Sequence, residues 1–222
     1  MGVAEIEKII LAAKTYEFET NQLETKLIDL SNSMPKVISL PQQEPERALL
    51  RFVVEYIDHV PLFLTAVSIA AKEAGIEDYV LPFLQVADQY FTAPLEDNEG
   101  EEGLIRLMNQ AYLSHRLIEE VNDQYILRAG IPLIPMDITK SNIIVHHLIG
   151  EQLANSLDDV VEETAKQMVN RDSVYSSAQF KEYVDTRKGV GWKEVWKQWA
   201  DMTRSLDIDL DFENSAADSK VH

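Results

Sequence analysis

Three histidines in segments with helical hydrophobic spacing each have a glutamate four residues away along the chain. The pairs are Glu55 with His59, His115 with Glu119, and His147 with Glu151. A separation of four residues places both side chains on one face of an α-helix. Imidazole and carboxylate groups bind first-row metal ions, and a cation offsets negative charge in a protein interior. Three such helices packed together would provide ligands for one or two divalent metal ions.

Two of the pairs are predicted to face the interior. His115 interrupts the apolar stripe of one predicted helix, and His147 interrupts the stripe of the next. Glu17 or Glu24 on the first predicted helix could add a further carboxylate. Because consecutive helical residues point about 100° apart, His146 and His147 cannot both face one centre.

This ligand set leads to a specific functional hypothesis. Iron is the favoured metal, with manganese or zinc as alternatives, because imidazole and carboxylate ligands suit all three. An iron site with open coordination positions would make the protein a non-haem iron oxidoreductase acting on a small apolar substrate. In outline such a bundle resembles the ferritin-like di-iron carboxylate proteins, which use Glu-x-x-His. This chain instead has Glu-x-x-x-His once and His-x-x-x-Glu twice, so no family is assigned.

A second hypothesis comes from the three tryptophans, which all lie near the C-terminus. Trp192, Trp196 and Trp199 occupy one stripe of a predicted amphipathic helix. Tryptophan is enriched at binding hot spots, so this stripe could bind a protein partner or form a homodimer. The protein would then be a non-enzymatic interaction or regulatory protein, unless the stripe packs on its own bundle. A metal-free ligand-binding or enzymatic pocket, which could take a small-molecule substrate, is the third alternative, and the sequence leaves open whether the protein is an enzyme.

The elements that position these residues are predicted to be helical nearly throughout. Apolar residues recur at spacings of three and four, which indicates an all-α, single-domain helical bundle over residues 1–206. About seven helices are expected, four of them long, and the second long helix is expected to be central and to kink or restart at Pro61. The long helices are predicted over 3–30, 45–74, 104–128 and 137 or 139 to 169, and the shorter ones over 78–91, 176–187 and 192–206. Residues 207–222 are predicted to form an acidic, disordered tail.

Composition excludes several classes of function. The net charge of −18 repels nucleic acids and anionic lipid surfaces. No run of about 18 uncharged apolar residues is present, so we expect no membrane association. The absence of cysteine excludes disulfides and thiolate sites and suits a cytoplasmic location. The sequence also lacks a glycine-rich phosphate loop and the GxSxG and HExxH motifs.

Overall fold

A computed structural model of the chain describes residues 3–92, 102–167, 169–188, 206 and 208–210. Eight α-helices within these ranges confirm the all-α bundle. The helices are α1 (Val3–Thr20), α2 (Gln22–Ser33), α3 (Pro45–Ala74), α4 (Glu77–Thr92), α5 (Gly103–Ala129), α6 (Thr139–Ile149), α7 (Glu151–Gln167) and α8 (Ala178–Lys188). A 3₁₀-helix spans Val169–Ser176, and two short strands are β1 (Ile38–Ser39) and β2 (Asp209–Leu210).

The most buried helix is α5, not the predicted α3. Of the 27 residues of α5, 17 are buried, whereas 13 of the 30 residues of α3 are buried. The other helices surround α5, which packs against α1, α3, α4, α6 and α7. Most side chains of α5 are therefore buried, and the buried polar ones among them need hydrogen-bond partners within the protein.

The first predicted helix is divided into α1 and α2 by Asn21. Asn21 adopts a left-handed backbone conformation with φ of 50°, which asparagine tolerates better than most residues. The buried carboxylate of Glu17 accepts the backbone N–H groups of Leu23 and Glu24, each at 2.9 Å. These N–H groups lie in the first turn of α2 and have no partner within their helix. Glu17 is therefore a capping residue rather than a metal ligand.

A second break separates α6 from α7 within the segment that the sequence predicted as one long helix. Gly150 has φ of 90° and ψ of 146°, a conformation available almost only to glycine. Its N–H still donates to the carbonyl of His146, at 3.1 Å, and the next helix begins at Glu151. The apolar period continues across this break, which is why the two helices looked like one.

The helix α3 continues through Pro61 without restarting, and its C-terminus is capped by Gly75 as predicted. Among the described helices, α3 alone is long and apolar enough to cross a membrane by length and composition. Core helices of soluble proteins share these features, and α3 packs against α1, α2, α4, α5 and α8. The prediction of no membrane association and of a cytoplasmic location stays a prediction.

Part of the chain after α8 returns to the bundle. Asp209 and Leu210 form β2, which pairs antiparallel with Ser39 and Ile38 of β1. Ile208 and Leu210 are buried, while Asp209 lies outside and binds Lys140 at 3.1 Å. The alternation of acidic and apolar residues is thus the pattern of a strand with one buried face.

Candidate functional site

The predicted metal site is wrong. Within the described part of the chain, no group of three or more His, Asp or Glu side chains lies close enough together to hold a metal ion. All six predicted ligands, Glu55, His59, His115, Glu119, His147 and Glu151, belong to that part. The predicted iron chemistry therefore has no ligand set, and each pair has another explanation.

His115 is fully buried and binds the backbone of α3 instead of a carboxylate. Its Nε2 lies 2.8 Å from the carbonyl oxygen of Tyr56, which can only accept, so this nitrogen carries the proton. The rings of Tyr56 and Phe63 pack against it at centroid distances of 4.2 and 5.4 Å. Nδ1 is buried without a hydrogen-bond partner among the described residues. Burial lowers the pKa of His115 to about 3, so the ring is neutral near pH 7.

The other two pairs do not form carboxylate–imidazole contacts. Nδ1 of His59 donates to the backbone carbonyl of Glu55, at 2.6 Å. The contact between these two residues is therefore made by the main chain of Glu55 and not by its carboxylate. His147 lies in the last turn of α6, which ends at Ile149, and Glu151 is the first residue of α7, where it is exposed. Because Gly150 interrupts the helix between them, His147 and Glu151 do not share one helix face.

A cleft lined mainly by polar and ionisable residues lies where α5, α6 and α7 meet, and we call it the α5–α7 cleft. Its volume is ≈390 Å³, within the range of about 300 to 1,000 Å³ that is typical of small-molecule sites. The lining residues are Tyr112, Arg116, Glu119, Thr139, Asn142, Ile143, His146 and Asp158. Of the predicted ligands, only Glu119 lines it.

Glu119 joins α5 to α6 at the inner wall of the α5–α7 cleft. Its carboxylate accepts a hydrogen bond from Thr139 at 2.9 Å, one from Asn142 at 2.9 Å, and a third from the Arg116 guanidinium. The amide oxygen of Asn142 in turn accepts from the hydroxyl of Tyr56 at 2.6 Å. A second layer of buried groups therefore fixes the orientation of the lining residues, as preformed binding sites require.

The opposite side of the cleft is built around the hydroxyl of Tyr112. This oxygen lies 3.1 Å from Nδ1 of His146 and 3.2 Å from each carboxylate oxygen of Asp158. A phenol has one proton to donate, so a phenol that donates to Asp158 can accept from a protonated Nδ1 of His146. The hydroxyl of Tyr112 thus joins the three side chains into one hydrogen-bonded group.

Arg116 connects the two halves of the cleft. Its Nε donates to Asp158 at 2.9 Å, and its Nη1 donates to Glu119. Burial opposes the charged form of Arg116, but the hydrogen bond to Asp158 and the charges of both carboxylates outweigh burial and raise its pKa. Burial and the charge of Asp158 raise the pKa of Tyr112. Near neutral pH the cleft therefore contains a charged guanidinium and a neutral phenol.

Other hollows also occur in the described structure. A groove of ≈310 Å³ between α3 and α4 is lined by apolar groups including Leu64, Ile69 and Leu84, with Gln85 and Asp88 at its edge. A hollow of ≈370 Å³ lies between α1 and α5. The α5–α7 cleft differs from the groove because five ionisable side chains joined by hydrogen bonds line it, and the pKa values of two of them, Tyr112 and Arg116, are raised. Clusters that contain groups with shifted pKa values are typical of functional sites.

Comparisons with known proteins do not identify this chain. No family model, no curated protein and no solved structure matches it. The tryptophan stripe of Trp192, Trp196 and Trp199 lies outside the described residues. Binding of a protein partner or a second copy through that stripe stays a prediction.

Sequence reasoning missed most residues of the cleft. It excluded His146 because His147 was assigned to the interior, and it gave Arg116 and Asp158 no role. The first turn of α6 offered a weak signal, since Thr139 and Asn142 are polar residues that come just before the apolar run 143–145. The contacts of Tyr112 with His146 and of Tyr112 and Arg116 with Asp158 join residues more than 30 positions apart, which no local pattern reveals.

Proposed function

We propose that this protein binds a small polar molecule in the α5–α7 cleft. The observation that carries the proposal is the convergence of Tyr112, Arg116, His146 and Asp158, from three helices, on one concave space. A structural ion pair needs no such space beside it, whereas a binding site needs both the space and a small number of fixed polar groups.

The charged side chains of the cleft are accessible to a ligand. The side chains of Arg116 and Asp158 each retain 31% of their solvent exposure, while that of Glu119 retains 15%. Asn142 behind them is buried. The arrangement therefore places supporting groups inside and ligand-accessible groups at the surface of the cleft.

The roles that we propose differ between the lining residues. Glu119 positions Arg116, because its carboxylate accepts from the guanidinium and is itself held by Thr139 and Asn142. His146 and Asp158 contact the ligand, and Ile143, which is partly exposed, provides apolar contact. This ligand is polar, unlike the small apolar substrate expected from the sequence.

Fragment screening by ligand-observed NMR tests the proposal. We expect polar fragments to bind the wild-type protein and to lose binding in Ile143→Trp, which fills the cleft from an exposed position. His146→Ala should weaken the same fragments, whereas His147→Ala, one residue along and outside the cleft, is the matched control. The proposal is wrong if no fragment binds, or if bound fragments are insensitive to Ile143→Trp.

A further inference from the structure

We propose that the ligand of the α5–α7 cleft is a small organic cation, an amine whose ammonium group binds Asp158. This inference rests on the proposed function and adds the chemical class of the ligand. Two observations support it. The guanidinium of Arg116 is already bound by two carboxylates while Asp158 can accept further hydrogen bonds, and the protein around the cleft is negatively charged.

The positive charge in the cleft is already engaged by protein carboxylates. Arg116 donates through Nε to Asp158 and through Nη1 to Glu119, so its guanidinium lies between two acids. An anionic ligand would have to approach both acids in order to reach the same guanidinium. Like charges at such short distances are unfavourable, and they are most unfavourable in a partly buried site.

The acceptor capacity that remains is on Asp158. Glu119 accepts from three side chains, Arg116, Thr139 and Asn142, and is the less exposed of the two acids. Asp158 accepts from Arg116 and Tyr112 only, and a carboxylate has about four acceptor positions. A donor on the ligand can therefore bind Asp158 without displacing a protein group.

The surroundings of the cleft are anionic as well. The pKa of Asp123, on the same helix as Arg116, is raised by burial and by the charges of Glu119 and Glu120. The whole chain carries a net charge of −18. Such a field attracts cations to the surface and repels anions, and the effect weakens with added salt.

The hydroxyl of Tyr112 completes the site that we infer. While an ammonium group binds the acceptor positions of Asp158 that remain, the phenol keeps its hydrogen bond to Asp158 and lies 3.1 Å from Nδ1 of His146, from which it can accept. The side chain of Ile143 lies at the same cleft and can contact a short alkyl chain. The inferred ligand is therefore an alkyl amine rather than a bare metal ion.

Three probes with the same four-carbon skeleton test the inference: 1,4-diaminobutane, 1,4-butanediol and succinate. They are titrated into the isotope-labelled full chain at low salt, and amide NMR shifts of residues 139–146 and 158 report binding. Because charge-assisted hydrogen bonds exceed neutral ones, we expect the diamine to bind at least about tenfold more tightly than the diol, and succinate most weakly. This order supports the inference.

A matched pair of variants separates the site from the general field of the protein. Asp158→Asn and Asp159→Asn remove the same charge from adjacent positions of α7, and Asp159 is exposed and outside the cleft. Asp158→Asn should weaken the diamine by about tenfold or more, and Asp159→Asn by about twofold or less. Equal losses of affinity in both variants would overturn the inference, because the diamine would then be held only by the overall negative charge of the protein and not by Asp158.

The remaining outcomes distinguish this inference from the proposed function. If the diol or succinate binds the cleft as tightly as the diamine, the cation inference fails and the binding function stands. If neither these probes nor any polar fragment shifts the cleft signals, both fail. If Asp158→Asn does not fold, two other results decide the question. They are the order of affinities of the three probes for the wild-type protein, and the loss of diamine binding in Ile143→Trp.

Discussion

His115 makes the stability of the bundle depend on pH in a way that one substitution removes. The ring is fully buried between Tyr56 and Phe63 and donates to a backbone carbonyl through Nε2. Burial lowers its pKa to about 3, from the ordinary value of 6.5. Between these two pH values the unfolded chain takes up a proton on this residue and the folded chain does not.

The sign and size of the effect follow from that difference. Stability attributable to His115 is fully present above pH 6.5 and is lost as the pH falls toward 3, because protonation favours the unfolded state. Each pKa unit corresponds to about 1.4 kcal/mol, so the whole range amounts to roughly 5 kcal/mol. Between about pH 7.5 and pH 5 the expected loss is roughly 2 kcal/mol.

The assay compares the wild-type protein with His115→Gln by urea unfolding at several pH values. Glutamine keeps an N–H donor near the position of Nε2 and cannot be protonated in this range. The variant should be less stable near pH 7.5 by about 1 to 2 kcal/mol because ring contacts are lost. When the pH is lowered from 7.5 to 5, the free energy of unfolding of the variant should fall by roughly 2 kcal/mol less than that of the wild type.

The comparison of pH slopes makes this prediction specific. His147→Gln removes an imidazole from a half-exposed position and controls for the substitution itself. Other titrating groups contribute equally to the wild type and to His115→Gln, so the difference between their curves isolates His115. Parallel curves for the two proteins would refute a neutral, buried ring at this position.

Two further substitutions and one truncation test the packing around the cleft, the chain break at Gly150 and the packing of β2, each by urea unfolding monitored by circular dichroism. Tyr56→Phe leaves the buried amide oxygen of Asn142 without its 2.6 Å donor and should cost about 1 to 2 kcal/mol; an unchanged midpoint would contradict this bond. Gly150→Ala should lower the free energy of unfolding by about 1 to 3 kcal/mol, and by more than Gly130→Ala does. A methyl group at either position would meet open space, but only Gly150 has a backbone conformation outside the left-handed region, which alanine adopts with more strain. Equal losses in the two variants would contradict the backbone conformation of Gly150. Deleting residues 207–222 removes two buried aliphatic side chains with β2 and should cost roughly 3 kcal/mol, and a fully stable truncated chain would refute that packing.

The sequence predicted the helices well where a local signal marks the end. The predicted range of α3, from Pro45 to Ala74, agrees with the structure, because proline is favoured at the start of a helix and Gly75 is a typical C-terminal cap. The ends of α1 at Thr20 and of α6 at Ile149 were missed. At both places one residue with positive φ interrupts the helix while the apolar period carries on.

The candidate site was predictable only in part, for a physical reason. Periodicity indicates which helix face is apolar, but it does not show which neighbour that face meets. Glu119 was identified as partly interior, yet its partners Thr139 and Asn142 depend on how α6 packs against α5. The choice of His147 over His146 assumed a continuous helix past Gly150.

The break at Gly150 explains why the cleft contains His146 and Asp158 together. In a continuous helix these two residues would be separated by about 18 Å along one axis, at a rise of 1.5 Å per residue. In the structure, Nδ1 of His146 and both carboxylate oxygens of Asp158 lie within 3.2 Å of one hydroxyl, that of Tyr112. A single phenol could not reach both residues if α6 and α7 were one rod. The glycine that conceals the site from sequence periodicity is therefore also the residue that allows the site to form.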